Sequence, residues 1–372
     1  MHNFRALLRQ FEWLGSMDNE LLTSPGKRCV CGNTVLREFS PDYFHCPRCE
    51  TLIARRDFDA SISLVTEDED GLYGRDYWYS QQHDLGFPDI ETRVRQDLPE
   101  RCVHWLAALL KYKAPPGKLL ELGCAHGGFV ALARAAGFDA TGLELSPKVA
   151  AFAARTFDIP VLTGPLEQQQ LPRGTYDAIA LMDVLEHLPD PETTMRHCLE
   201  LLREDGVLII QTPRYPEGRS FAAMQAENAR FLEQLKADQH LYLFSARSLE
   251  RMFAGLGIAE LRHEEPIFAH YDQFVVIGKC SLKTRSGSLD FPNPAPLRRL
   301  TQALLDARFA YRDLYRKWED AEKDRGARLA VINELSAQLQ ASDADRAARL
   351  AVINDLSARL QASDADREAS SK

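Results

Sequence analysis

No run of apolar residues in this 372-residue sequence approaches the ~18 that a membrane-crossing helix needs. There is no surplus of basic residues either. The 45 lysines and arginines face 54 aspartates and glutamates, a net charge of −9, which argues against electrostatically driven nucleic-acid binding. The opening residues, Met1-His2-Asn3-Phe4-Arg5, lack the apolar core and small-residue cleavage site of an export signal, so the expected location is cytoplasmic. Eight cysteines in a reducing compartment do not make a disulfide framework, and clustered ones point to metal or chemistry. What remains is a chain of ordinary hydrophobic content, long enough for two or three domains.

The informative stretch runs from Leu119 to Phe129: a short apolar run, a glycine-rich turn, then an Ala/Leu-rich run ending near Ala136. That pattern predicts a strand, a tight turn and a helix whose free N–H groups face the turn. Such a turn at the carboxyl end of a parallel strand is the usual ligand crevice of an open α/β sheet. A turn that merely connects two elements is the alternative. A helix over 91–112 precedes it, and Pro115-Pro116-Gly117 opens the strand at Lys118. Strands at 139–143, 161–163, 176–182 and 207–211 then alternate with helices opened by Ser146-Pro147 and Asp190-Pro191, each a cap residue followed by proline. Ser245 caps a further helix, and 258–262 with 274–278 read as a closing hairpin. Alternation with apolar strands predicts a parallel sheet covered on both faces, in one α/β domain over residues 89–280.

The strand ends carry the chemistry. Counting from Gly123, the turn reads Gly-Cys-Ala-His-Gly-Gly, without the second glycine that would bring backbone against a pyrophosphate. Glu144, at the next strand end, can accept both hydroxyls of a ribose lying over the turn. Gly164-Pro165-Leu166 follows the third strand, where backbone and an apolar side chain can hold an adenine ring. The expected ligand has ribose and adenine but no pyrophosphate.

Four motifs now stand in order: Glu121-Leu-Gly-Cys-Ala-His-Gly-Gly-Phe129, Gly142-Leu-Glu-Leu-Ser146, Asp183-Val-Leu-Glu-His187 and Gly206-Val-Leu-Ile-Ile-Gln-Thr-Pro213. Together they resemble the class I S-adenosylmethionine-dependent methyltransferases, in the branch with Asp/Glu-Val-Leu-Glu-His after the fourth strand. The resemblance covers roughly residues 89–280. It implies a Rossmann-like seven-stranded sheet with its last strand antiparallel and helices on both faces, and S-adenosylmethionine as cofactor. It also implies that Glu121, Gly123, Cys124, Ala125 and Gly127 shape the turn under the methionine moiety. Glu144 would take the ribose, Leu145 and Leu166 would flank the adenine, and Met182 and Asp183 would lie near the sulfonium and the amino-acid end. Ala125 departs from the family's usual glycine, and a slightly tighter turn is expected. If the acceptor is a hydroxyl, a neutral histidine is the natural proton acceptor. His187 and His240 are the candidates, and a structural histidine fixing its own loop is the alternative for each. Glu186 is expected to brace the loop.

Around this domain lie other modules. Residues 1–24 read as a short amphipathic helix. Residues 25–60 hold Cys29, Cys31, Cys46 and Cys49, two pairs whose spacing suits a structural, tetrahedral zinc in a ribbon-like module, with His45 as a spare ligand. The aromatic stretch in 61–88 reads as a buried cap or as a lid over the substrate. Residues 281–300 read as a linker. Beyond it, Ala327–Arg346 and Ala348–Arg367 repeat at an offset of 21 residues, three heptads, so 301–367 is expected to form a coiled coil. Its seam runs through Leu314, Ile332, Leu335, Leu339, Ile353, Leu356 and Leu360. The arm's near-balance of acidic and basic residues argues against nucleic acid, and a homo-oligomer through the coiled coil is expected.

Two functions compete. One is methyl transfer to a hydroxyl of a small molecule or a glycan; a zinc module ahead of such a domain resembles the layout of bacterial sugar-modifying methyltransferases. The other is a non-catalytic scaffold of the same fold that assembles partners through zinc module and arm. Intact Glu121, Gly123 and Glu144 favour the first.

Overall fold

The computed structural model describes residues 22–23, 27–56, 88–258, 260–285 and 296–370. The expected N-terminal helix and the aromatic cap lie outside the described residues, apart from Leu22–Thr23 and Pro88. Those two N-terminal residues are strand, not helix.

A small antiparallel sheet comes first: β1 (Leu22–Thr23), β2 (Val35–Ser40), β3 (Tyr43–His45) and β4 (Leu52–Ala54). Helix α1 (Ile90–Asp97), capped by Asp89 accepting from the Thr92 N–H at 2.7 Å, leads toward the larger sheet. Pro99 cannot donate to the helical ladder. The chain accordingly widens into one π turn over Leu98–Cys102 before α2 (Val103–Tyr112) resumes.

The large sheet then assembles from β5 (Lys118–Leu122), α3 (Gly128–Ala136), β6 (Asp139–Glu144), α4 (Pro147–Phe157), β7 (Val161–Thr163), β8 (Tyr176–Met182), α5 (Pro191–Leu201) and β9 (Leu202–Pro213). The expected caps are in place: Ser146 accepts from Val149 N–H and Asp190 from Thr193 N–H. Strand β9 begins five residues before the expected Val207. The β8–β9 ladder jumps from Tyr176↔Leu202 to Ala178↔Val207, so the expected Asp205-Gly206 turn survives as a bulge within a longer strand. Helix α6 (Phe221–Ala226), β10 (Tyr242–Leu243) and α7 (Ala246–Gly255) follow, and β11 (Glu260–Glu264) pairs with β12 (Asp272–Gly278) as the closing hairpin.

The sheet order is β11-β12-β9-β8-β5-β6-β7, seven strands, parallel from β7 to β9, with β12 antiparallel to β9. This is the sheet that the resemblance implies. Apolar side chains cover both faces, one core centred on α2, α3 and Phe274, the other on α5, α7 and Leu208.

The small sheet is not separate from the large domain. Strand β10, from the segment after β9, pairs with β4 through Tyr242↔Ile53 and Leu243↔Leu52. Phe39, Tyr43, Leu52 and Ala54 share one apolar cluster with Tyr215, Met224, Phe231 and Leu243.

The last helix, α8, runs from Pro296 to Ser370, so it starts inside the expected linker. Its first turns belong to the compact unit that ends at Asp306: Thr301 and Leu305 are buried, and Leu304 packs against the core. From Ala307 the helix is a second unit, and its heptad positions Leu314, Leu335, Leu339, Leu356 and Leu360 are 58–67 % exposed. Among the described residues no helix is long and apolar enough to cross a membrane.

Candidate active site

Strand β5 ends in a turn that only its own residues allow. Gly123 has φ +67°, and a Cβ there would lie 2.5 Å from Val184 Cγ2. Ala125 also takes a left-handed conformation, φ +48°. A glycine would adopt it freely, whereas alanine carries a cost of roughly 1 kcal/mol. The Ala125 N–H donates to Glu144 Oε2 at 2.9 Å, and Ser146 N–H donates to Oε1 at 3.2 Å. Glu144 thus ties β6 to the β5 turn. Burial pushes its carboxyl above the usual range, against backbone N–H groups of Ser146, Ala125 and Leu145 that favour the charged form.

These residues open onto a cavity of about 710 Å³ at the carboxyl ends of the parallel strands. Glu121, Gly123, Cys124, Ala125, Glu144, Leu145, Leu166, Met182 and Asp183 all line it, as do His187 and His240. Gly127 does not. It holds φ +81° at the start of α3, and a Cβ there would meet Ile159 and Ala153 at 2.7 and 2.9 Å, so it serves close packing of α3 on α4.

The volume suits a nucleoside-sized ligand. Glu121 supplies a more specific test of S-adenosylmethionine. Its carboxylate is buried, Oε2 has no hydrogen-bond partner, and burial followed by the nearby Glu144 charge pushes its pKa well up. A buried, unpartnered carboxylate oxygen is costly unless an ionic partner arrives. The ammonium of a methionine moiety is such a partner, so the residues fit the cofactor.

The other end of the cavity is built from the loop after β8 and the segment before β10. His187 and His240 meet edge to face, with ring centroids 4.9 Å apart. His187 Nδ1 lies 2.9 Å from the Gln239 carbonyl and His240 Nδ1 2.7 Å from the Gln234 carbonyl. A carbonyl only accepts, so both rings carry their proton on Nδ1 and present Nε2 as a lone pair. Burial lowers His187 to about 4 and His240 to about 3. Neutral imidazoles are what a proton acceptor needs, yet at these values each is a weak base. Glu186 braces the loop as expected: its Oε2 accepts from Thr212 Oγ1 at 2.9 Å, and its carbonyl accepts from Leu241 N–H.

The predicted Asp183 is held by side chains outside the predicted set. Asp183 sits at φ +58° and accepts from Gln211 Nε2 at 3.0 Å and from Arg101 at 3.1 Å. Gln211 in turn accepts from Trp105 Nε1. Arg101 also faces Asp97 and stands over the Phe268 ring at 5.0 Å. His126 accepts from Gly128 N–H on Nδ1 and therefore donates from Nε2 to Asp97. Asp272 is raised to about 9 by burial and by the charges of Asp183 and Glu186. Asp97 and Arg101 stand in a helical segment that also carries Glu91, Arg93, Arg95 and Glu100, so nothing in the sequence singles them out.

The four cysteines also converge. Cys29 and Cys49 Sγ are 3.3 Å apart, Cys31 and Cys46 Sγ 3.6 Å, and none is disulfide-bonded. A tetrahedron of ~2.3 Å zinc–sulfur bonds has edges of about 3.8 Å, so the cluster fits a zinc ion. Gly32 at φ +79° and Glu50 at φ +65° form the two knuckles. His45 is not a ligand candidate here, because it pairs with Glu50 at 3.1 Å. Cys102, Cys124 and Cys198 are buried core residues, whereas Cys280 is exposed.

Strand order and glycine turn are those of the class I S-adenosylmethionine-dependent methyltransferases. Residues 94–262 match the family described as "Methyltransferase domain", and this part of the chain is a methyltransferase domain of that class. The chain is similar to the ubiquinone biosynthesis O-methyltransferase of Psychrobacter cryohalolentis, 27 % identical over 164 residues, 42 % of this chain and 63 % of that protein. The protein of the same name from Chromobacterium violaceum is 32 % identical over 155 residues, 39 % and 66 % of the respective chains. The match thus spans less than two thirds of these relatives. Among solved structures, a Thermotoga maritima protein described as a possible histamine N-methyltransferase aligns over 51 % of this chain and 96 % of its own, at 18 % identity and a TM-score of 0.39.

Proposed function

We propose that this protein transfers the methyl group of S-adenosylmethionine to a hydroxyl of a small-molecule or sugar acceptor. The observation that carries the reading is one cavity with buried Glu144 and an unpartnered Glu121 oxygen at one end and two neutral imidazoles at the other. The relatives named as O-methyltransferases support a hydroxyl as the acceptor. S-adenosylmethionine supplies a methyl group activated by its sulfonium. Glu121 would hold the ammonium, Glu144 the ribose, and Leu145 with Leu166 the adenine. Met182 and Asp183 would flank the sulfonium, with Asp183 held in place by Arg101 and Gln211. His187 and His240 would engage the acceptor hydroxyl through Nε2. Most of the rate enhancement then comes from fixing two reactants in line. Calorimetry with S-adenosylhomocysteine tests this: binding with a dissociation constant in or below the micromolar range is expected, and no binding at millimolar ligand would leave the scaffold reading standing.

The four cysteines are proposed to hold one structural zinc per chain. The arm from Ala307 onward is proposed to pair with a second copy of itself, because its exposed apolar positions recur every 3.5 residues through two copies of the 21-residue repeat. Sedimentation of the full chain should give a dimer or higher oligomer, and removal of residues 307–372 should give a monomer. An unchanged mass after truncation would exclude the arm as the oligomerising element.

A further inference from the structure

We propose that Asp272 is the proton acceptor of the methyl transfer, switched by the charge of the cofactor. It gives up its proton when the sulfonium binds and takes that of the acceptor hydroxyl as the methyl group leaves. The inference rests on the methyl-transfer reading and gives that reaction a base its histidines do not supply.

Strand β12 runs antiparallel to β9, so its first residue lies at the carboxyl ends of the parallel strands. There Asp272 pairs with Pro213, the last residue of β9. Side chains alternate along a strand. Asp272 therefore points to the same sheet face as Phe274 and Val276, the face covered by α2. It is 4 % exposed and lines the cavity. Among the described residues its carboxyl makes no hydrogen bond and no ion pair.

The neighbouring carboxylates are committed elsewhere. Asp183 accepts from Gln211 and Arg101, and Glu186 Oε2 accepts from Thr212 Oγ1. Arg101, the cation that faces Asp272, is engaged by Asp97 and Asp183. Tyr271 stays neutral, its phenol pushed up to about 12 by burial and by the charge of Asp272. Burial first, then the charges of Asp183 and Glu186, raise Asp272 to about 9, so it is protonated at neutral pH. His187 and His240, at about 4 and about 3, are poor bases.

A sulfonium beside Asp183 brings positive charge to this acidic corner. An opposite charge within about 4–6 Å lowers the pKa of a carboxyl by about two. Starting from about 9, Asp272 is then mostly ionised at pH 8, its proton released to solvent. In the transfer step the acceptor oxygen forms the O–CH3 bond as the methyl–sulfur bond breaks, that bond's electron pair staying on the sulfur. The hydroxyl proton passes to the Asp272 carboxylate. A sulfonium and a carboxylate become a thioether and a carboxylic acid, so charge balances within the cavity. Loss of the sulfonium charge restores the proton affinity of Asp272 just when a proton must be taken.

The test is calorimetry of S-adenosylmethionine and S-adenosylhomocysteine binding in buffers of different ionisation enthalpy, which counts the protons released. Counts and affinities are corrected for ionisation of each free ligand, measured by titration of the ligand alone. Both ligands present the same ammonium and ribose, so any protons released by Glu121 and Glu144 cancel in the difference. At pH 8 the wild type should release more than about half a proton more with S-adenosylmethionine, and its preference for that ligand should rise about tenfold from pH 6 to pH 8. In Asp272→Asn both differences should vanish, with S-adenosylhomocysteine affinity within a factor of about three of wild type, which also reports the fold. Asp272→Ala should behave alike and serves where the asparagine variant does not bind. Equal proton release by the two ligands in the wild type overturns the proposal and leaves methyl transfer intact. A difference that persists in a variant still binding S-adenosylhomocysteine puts the proton on another group and overturns it as well. Failure of the wild type to bind either ligand removes the methyl-transfer reading and the proposal with it.

Discussion

Cys49→Ser is expected to release the zinc ion and unfold the small sheet, with the acceptor end of the cavity loosened as a consequence. The apolar cluster around the cysteines contains little besides the thiols themselves: Leu36, Phe44 and Ile53. A module of this size rarely folds on such a core without a metal. Structural zinc contributes on the order of 10 kcal/mol in small zinc-binding domains. The damage should spread along named contacts. The Tyr43 hydroxyl donates to the His240 carbonyl at 2.8 Å, Ala54 N–H to the Leu241 carbonyl at 2.9 Å, and Ser245 Oγ to the Cys49 carbonyl at 3.3 Å. Metal analysis should fall from about one zinc per chain to none, and limited proteolysis should cut within residues 27–56. Turnover should fall by about tenfold or more. S-adenosylhomocysteine affinity should stay within a factor of about three, because Glu144 and the β5 turn make none of these contacts. A variant with full zinc content and native protease resistance would show that Cys49 does not hold the metal.

Glu144→Ala should weaken S-adenosylhomocysteine binding by at least about a hundredfold. Two hydroxyl hydrogen bonds to a carboxylate are together worth about 3 kcal/mol at the lower end of the usual range, and each 1.4 kcal/mol is a factor of ten. The substitution also strips partners from Ala125 and Ser146 N–H. That loss is offset in part by removing a carboxyl whose burial disfavours its charge. A melting temperature a few degrees below wild type and an unchanged circular-dichroism spectrum are therefore expected. Glu144→Gln keeps the shape and one acceptor and should fall between the two. Equal affinity in Glu144→Ala and wild type would mean that the nucleoside lies elsewhere.

The elements nearest the glycine turn were legible because their signals are local. Ser146-Pro147 and Asp190-Pro191 mark helix starts through side chains that accept N–H groups three residues on. Strands 118–122 and 176–182 are bounded by polar turns on apolar runs, and they appear where expected. Four cysteines at knuckle spacing announced their own convergence. The errors share one cause. The helical state of residues 296–300, strand β10 and the position of Gly127 all depend on partners far away in the chain. Strand β10 is two residues long and exists because β4, some 190 residues earlier, offers an edge. Gly127 is decided by Ile159 and Ala153 across a helix interface.

The sequence by itself determined the class of domain, the glycine turn after β5, the acid at the end of β6 and the four-cysteine cluster, since each is written in residue types at short, regular spacing. Only the tertiary structure decided that Glu121 carries an unpartnered oxygen, that Arg101 and Gln211 hold Asp183, and that two histidines 53 residues apart stand ring to ring beside Glu186. Burial, hydrogen-bond direction and the approach of distant side chains arise when strands and loops are packed together, and no local spacing encodes them.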